Sequence, residues 1–318
     1  MRRFLIVSAV FALTTLAAGA QPASVTFEQA DGRVSILIAG KNVAVYIYND
    51  PAVMRPYFCQ VKTPGGIQVT RLHPPDPVAN KRNDDHETMH PGLWLAFGDL
   101  DGGDYWRNKT AVRHVRFEGP FTAEGSVGRF AVVNRYENPE GGEPVCEETC
   151  TYSIHIAPQG YLITAKSSFS SEKDFYFGDQ EEMGFGMRLN TPLTVKFGSG
   201  EIRNSNGGVN EKGTWGNQAK WCSAAGVIDG RRVGIILMPD PANFRPSWFH
   251  SRDYGLVVAN PFGKKSMMAP DDDAVQPDRS HTRQLGFGVF VFDLPQDQQP
   301  DYNQAYALYQ AALEAHGR

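Results

Sequence analysis

Residues 84–109 read DDHETMHPGLWLAFGDLDGGDYWRNK, and they set two histidines, His86 and His90, beside Asp84, Asp85 and Glu87. Imidazoles titrate near neutrality, so such a pair can pass protons or hold a metal. The string His86-Glu87-Thr88-Met89-His90 also fits the pattern in which two histidines on one helix face bind zinc and the glutamate activates its water. Pro91 disfavours helical geometry at His90, and no third ligand stands at a recognisable spacing. The expected cofactor is therefore none or one divalent metal, with His86 and His90 as its ligands if it binds.

Two further stretches carry ionisable groups into apolar surroundings. In GDQEEMG, Asp179 and Glu181 would point to one face of a strand, roughly 7 Å apart at Cα. Carboxylates so paired suit acid/base work when their surroundings push their pKa values apart. The alternative is ordinary charge on a solvated edge strand. In WFHSRDYG, His250, Arg252, Asp253 and Tyr254 have the make-up of a saccharide subsite, a ring for the apolar face of a sugar and charged groups for its hydroxyls. The alternative there is an Arg–Asp pair holding a loop. Trp94, Asp99, Trp106, Lys109, Arg188 and Asn260 complete the candidate binding residues. If the three stretches form one site, they lie within about 10–12 Å around a small-ligand pocket lined by Trp94, Trp106 or Trp248.

Strands must position these groups. Short β-branched or aromatic runs occupy 33–38, 43–48, 57–62 and 67–72, and turn residues separate them. Longer runs follow at 111–118, 128–136, 145–156 and 160–169, then 220–227, 233–238, 255–259 and 284–294. In 145–156 the residues Cys146, Glu148, Cys150, Tyr152 and Ile154 share one face. The glycine-rich segment 204–217 reads as a long loop, and Asp271, Asp272 and Asp273 as a surface loop. Only 302–315 is helical in pattern, with Ala305, Leu308, Tyr309, Ala312 and Leu313 along one stripe. These elements predict an all-β domain, a large antiparallel β-sandwich with one C-terminal helix.

Composition narrows the setting. Arg2 and Arg3 precede an apolar run at 4–17 and the small-residue site Ala18-Gly19-Ala20, which predicts a signal peptide over 1–20 and a mature chain starting at Gln21. A single domain over 21–318, periplasmic or secreted, is the expectation. A net charge of −4 with no basic block argues against nucleic acid as a partner. No later run reaches the roughly 20 apolar residues that cross a bilayer. The four cysteines, Cys59, Cys146, Cys150 and Cys222, could pair in an exported chain. Cys146 and Cys150 would be roughly 13 Å apart on one strand, too far to bridge, and buried free thiols are the other possibility.

Four blocks in order, RPYFCQVKTPGGIQVTR, DHETMHPGLWLAFGDLDGGDYW, GDQEEMGFGMRL and FHSRDYGLVVANPFG, resemble a bacterial family labelled "PmoA" or "methane oxygenase". The resemblance covers most of the chain after the leader. Family members read DHPHHRG where this chain has DHETMHPG, so His86 and His90 match the first and last histidines and Glu87 has no counterpart. The resemblance implies a companion of exported sugar-degrading systems. The histidine–carboxylate–arginine set is also similar to that of galactose mutarotase-like supersandwich proteins. Together these readings predict a carbohydrate-active protein acting on a small-molecule or oligosaccharide substrate. His86, His90, Glu181 and Glu182 would do acid/base chemistry as a lyase, hydrolase or epimerase. A non-catalytic carbohydrate-binding or surface protein, and a metal-dependent hydrolase, are the alternatives.

Overall fold

The computed structural model describes residues 23–268 and 279–315. The leader at 1–20 and the aspartates 271–273 lie outside them. The chain begins as a meander of β1 (Val25–Ala30), β2 (Arg33–Ile38), β3 (Lys41–Ile47) and β4 (Tyr57–Cys59), which β5 (Leu93–Phe97) extends. It then builds a second sheet from β6 (Val112–Phe117), β7 (Thr122–Glu124), β8 (Val127–Tyr136), β9 (Cys146–Ala157) and β10 (Gly160–Phe175). It returns to the first sheet as β11 (Met183–Arg188) and to the second as β12 (Glu201–Asn204), β13 (Cys222–Ile228) and β14 (Arg231–Pro239). β15 (Trp248–Arg252) and β16 (Leu256–Asn260) complete the first sheet, and β17 (Ser280–Pro295) fills the middle of the second.

The first sheet has eight strands in the order β1-β2-β3-β4-β5-β11-β16-β15. The second has nine, in the order β12-β13-β14-β17-β10-β9-β8-β6, with β7 on β8. Every pairing is antiparallel, and the inner faces supply alternate residues to one core. Aromatic rings cross the interface: Phe185 stacks on Phe287 at 5.3 Å, and Tyr46 lies 5.4 Å from Phe130 and 5.2 Å from Tyr152. The two-sheet antiparallel sandwich expected from the strand pattern is therefore the fold, and its terminal helix α3 (Tyr302–Glu314) is present. That helix lays Ala305, Tyr309, Ala312 and Leu313 on the outer face of the nine-stranded sheet, against Leu162, Ile236, Phe290 and Phe292.

Three details differ from the sequence reading. Residues 67–72 form isolated bridges, because their backbone groups are shared between Val61 on one side and Arg188 on the other. The 204–217 segment contains a single-turn helix, α1 (Asn210–Thr214), and another, α2 (Lys264–Met268), follows β16. Asp179 and Glu181 are on no strand, since 178–182 turn before β11. The four thiols are free and buried; Cys146 and Cys150 do face the core along with Glu148.

Candidate functional site

The outer face of the eight-stranded sheet is not simple solvent-exposed surface. Register puts Trp94 opposite Gly186, Gly186 opposite Val258 and Val258 opposite His250, one row across four strands. The next row runs Arg188, Leu256, Arg252. Residues paired across strands share a face, so Arg188 and Arg252 stand on one side, two strands and about 10 Å apart. A Cβ at position 186 would come 2.7 Å from the Trp94 ring and 3.2 Å from that of Trp106. Only glycine lets both indoles lie down on β11.

The connection from 73 to 92 folds over this face and is held by two buried arginines. Arg71 donates to the carbonyls of Asn83, Asp85, His86 and His90, at 2.5–3.2 Å. Arg55 donates to those of Thr88, Met89, Tyr105 and Trp106, and to Asn108 Oδ1. Burial lowers both guanidiniums to about 9, and carbonyl dipoles engage their Nη groups, with Asp85 3.9 Å from Arg71 as a further partner. A single bond from His90 N to His86 O, with His86 at φ 50°, makes the 86–90 segment a turn. The helix that a zinc-binding HExxH needs is absent.

Arg188 organises what lies beneath that turn. Its Nε and Nη2 donate to Asn83 Oδ1 at 3.0 and 2.7 Å, its Nη1 to His90 Nδ1 at 3.2 Å, and it pairs with Asp85. The guanidinium carbon also sits 4.5 Å from the centre of the Tyr254 ring. Accepting from Arg188 at Nδ1 fixes the His90 proton on Nε2. Burial, then the charges of Arg188, His86, Arg71 and Arg55, hold the His90 pKa well below the ordinary imidazole value. His90 is therefore a neutral donor, only 1% exposed, and its Nε2 is buried without a partner among the described residues. It stacks between His86 at 5.2 Å and Trp94 at 5.3 Å. Asp85 is raised by burial but lowered further by Arg188 and His86, so it stays ionised.

A second group flanks Tyr254 from the other side. His250 donates from Nδ1 to the Glu181 carbonyl at 2.9 Å and accepts at Nε2 from Arg252 at 3.1 Å. Burial keeps it neutral as well. Arg252 spans two carboxylates, Glu211 at 2.9 Å and Glu181 at 3.6 Å, with the Trp215 ring 5.4 Å away. Glu211 is held firmly: burial raises its pKa, but the Asp253 amide and Arg252 outweigh that and lower it. The Asp253 carboxylate in turn accepts from the Glu211 amide at 2.8 Å. The charges of Arg188, Arg252, Asp85 and Glu211 all act on the Tyr254 hydroxyl, and the strand register puts Arg188 and Arg252 on the same face of the sheet.

Several sequence candidates have other tasks. Trp94 and Trp106 are fully buried, so they form the floor under His90 rather than an open pocket wall. Trp248 is buried on edge strand β15 and bridged to Gln218. Asp179 caps α2 through the amides of Lys265 and Ser266. Glu182 pairs with Arg107 and so points away from Arg252. Asp99 accepts from the Gly102 amide, exposed Lys109 pairs with Asp104, and Asn260 holds the 180–181 turn through both carbonyls. Sequence reading missed Arg55, Arg71, Asn83, Glu211 and Trp215. Of these only Arg71, a lone cation among apolar strand residues, carried a signal. Among the described residues no three His, Cys, Asp or Glu side chains stand where they could share a metal. The guanidinium on His90 Nδ1 occupies one nitrogen such a site would use.

Roomier clefts lie elsewhere. One of about 520 Å³ is lined by Tyr48, Asp50, Arg113 and His114, and one of about 630 Å³ by Arg135, Glu147 and Lys173. The first also holds Arg55, so it too has an imidazole, guanidiniums and a carboxylate; what sets the outer-face group apart is that its imidazoles and carboxylates are bonded directly to Arg188 and Arg252.

Comparison with known proteins gives similarity at the level of architecture. The chain is similar to a putative aldose 1-epimerase from Escherichia coli K12, at 11% identity over 85% of this chain and 99% of that one, with a TM-score of 0.34. It is similar to a galactose mutarotase-like protein from Clostridium acetobutylicum, at 9% identity over 86% and 99%, with a TM-score of 0.39. It also matches 40% of a 4-alpha-glucanotransferase from Thermococcus litoralis, at 10% identity over 86% of this chain and a TM-score of 0.36. No curated protein matches in sequence. The expected membership of a methane-oxygenase-like family is corrected by the family model that does match, which spans residues 33–304 and so includes all four blocks on which that resemblance rested. The chain belongs to the family of unknown function DUF6807.

Proposed function

We propose that this protein is an exported carbohydrate-active protein. It seats a sugar on the outer face of the eight-stranded sheet, and Glu181 is the group that moves a proton. The observation that carries the reading is Tyr254. Its half-buried ring carries the Arg188 guanidinium, which pairs with Asp85, and it stands two residues after Arg252, which pairs with Glu211 and Glu181. A ring for the apolar face of a pyranose, flanked by rigid hydrogen-bonding groups for its hydroxyls, is what saccharide recognition requires. The His90 Nε2–H, without a partner among the described residues, is a further donor held beside Arg188.

The roles divide by how tightly each group is held. His90 and His250 are buried and neutral, and each has a ring nitrogen engaged by an arginine, so they position rather than exchange protons. His86 is exposed and stacks on His90, bonded to Asp85 at 2.8 Å. Glu211 is fixed by two donors, whereas among the described residues Glu181 has only its longer contact with Arg252. Glu181 is therefore the carboxylate free to take a proton, in a lyase, hydrolase or epimerase reaction. Arginine-rich or leader-like features also support export: Arg2, Arg3 and the apolar run at 4–17. No helix among the described residues is long and apolar enough to cross a membrane.

The test is calorimetry with a panel of mono- and oligosaccharides, followed by product analysis. Tyr254→Ala should abolish binding. Glu181→Gln should retain binding and lose turnover by about 10²–10⁴-fold, the usual worth of a positioned acid or base. Binding without turnover in the parent would leave a carbohydrate-binding protein, and no binding at all would end the reading. Mass spectrometry of the exported chain, expected to begin at Gln21, tests the localisation.

A further inference from the structure

The ion pairs around Tyr254 are all oriented the same way. Arg188 has a side chain that is 0% exposed, while its partner Asp85 is 47% exposed. Arg252 is 28% exposed, against 37% for Glu181 and 35% for Glu211. The guanidiniums lie inward and the carboxylates outward. The inner cations are also largely spent. Arg188 is committed to Asn83, His90 and Asp85, and the Nη groups of Arg71 and Arg55 to backbone carbonyls. Exposed Asp84 and Glu87, beside Asp85 on the same turn, extend the acidic rim. Against these stand Arg252, whose guanidinium is already shared by two carboxylates, exposed Lys212 on α1, and exposed Arg82 and Lys196, both drawn onto the Phe197 ring.

A surface so arranged offers acceptors and negative potential. Asp85 and Glu211, held by guanidiniums from behind, cannot swing away, and all three carboxylates present free lone pairs to hydroxyl donors. An incoming carboxylate or sulfate would meet three anions while Arg188 and Arg252 stay committed to them, a mismatch that works as discrimination. Resting on the carbohydrate reading above, we propose that the ligand is an uncharged sugar with free hydroxyl groups, and that Asp85, Glu181 and Glu211 exclude uronic acids and sulfated sugars.

The experiment is calorimetry at low ionic strength with matched pairs: glucose and glucuronate, galactose and galacturonate, cello-oligosaccharides and oligogalacturonates. In at least one pair the neutral member should bind ten-fold or more tightly than the acidic one. The gap should narrow in 1 M salt, where the screening length is about 3 Å. Glu181→Gln should narrow it as well, at low salt, by raising affinity for the acidic member. That variant leaves Arg252 paired with Glu211, so the fold does not depend on it. Tighter binding of the acidic member would overturn the inference while leaving the carbohydrate reading intact. A preference for the neutral sugar that neither salt nor Glu181→Gln reduces would overturn it too, because the discrimination would then be steric. If neither member of any pair binds, the carbohydrate reading itself fails and takes this inference with it.

Discussion

Replacing Arg188 with methionine tests whether this guanidinium organises the site. The change keeps much of the aliphatic volume and removes the donors. Asn83 Oδ1 loses two bonds and His90 Nδ1 loses one, all in buried surroundings. Each acceptor left unpaired costs about 1–3 kcal/mol. The Asp85 pair adds at most about 1 kcal/mol, because that carboxylate is half exposed and screened by solvent. Relief of the desolvated guanidinium opposes these losses. The net expectation for Arg188→Met is a loss of about 2–5 kcal/mol, and for Asp85→Asn about 1 kcal/mol or less. Arg188→Lys should recover less than half of the loss, since an ammonium cannot reproduce the fork to Asn83. Urea unfolding reads this as a fall in midpoint at unchanged slope. A loss below about 1 kcal/mol in Arg188→Met, with a larger one in Asp85→Asn, would refute the reasoning. The surface ion pair, not the buried network, would then be what holds Arg188.

Four other outcomes are expected. His90 and His250 have folded-state pKa values below the ordinary imidazole value, so their contribution is complete above about pH 6.5 and lost as pH falls toward those depressed values; the melting temperature should drop between pH 7 and pH 5, and His250→Gln should flatten that drop. Glu148 is the opposite case: burial raises its pKa more than its bonds to Ser167 at 2.5 Å and Asn134 at 3.0 Å lower it. Its own contribution should therefore fade as pH rises above the usual carboxylate range, against the histidine trend, and the stability of the parent relative to Glu148→Gln should fall in unfolding measured from pH 4 to 8. Gly186→Ala should cost about 1–3 kcal/mol, because the new methyl meets Trp94 and Trp106. Truncation after Asp301 should lower the melting temperature clearly, since Tyr309 and Leu313 are buried and each is worth about 1.5–3 kcal/mol.

Much of this protein was legible in its sequence because the relevant physics is local. Alternation over 145–156 put Cys146, Glu148, Cys150, Tyr152 and Ile154 on one face, and the structure buries all five. The stripe in 302–315 marked the terminal helix and the face it docks. Candidate residues His90, Arg188, His250, Arg252 and Tyr254 could be picked out as types, because charged groups among strand residues need a reason to be there. What each of them does was not local. His90 is neutral because it is buried and because Arg188, 98 positions later, lies against it and donates to it. Glu211 lies in a glycine-rich segment with no periodic pattern, and only the packing of α1 on β15 brings it to Arg252. Asp179 and Glu182 look like Glu181 in the sequence, yet a helix N-terminus takes the first and Arg107 the second. Pattern along the chain determined which faces are buried, since side-chain direction follows the backbone period. The pairing of charges depends on strand order, and only the tertiary structure, placing β5, β11, β16 and β15 side by side, decided which carboxylate each guanidinium holds.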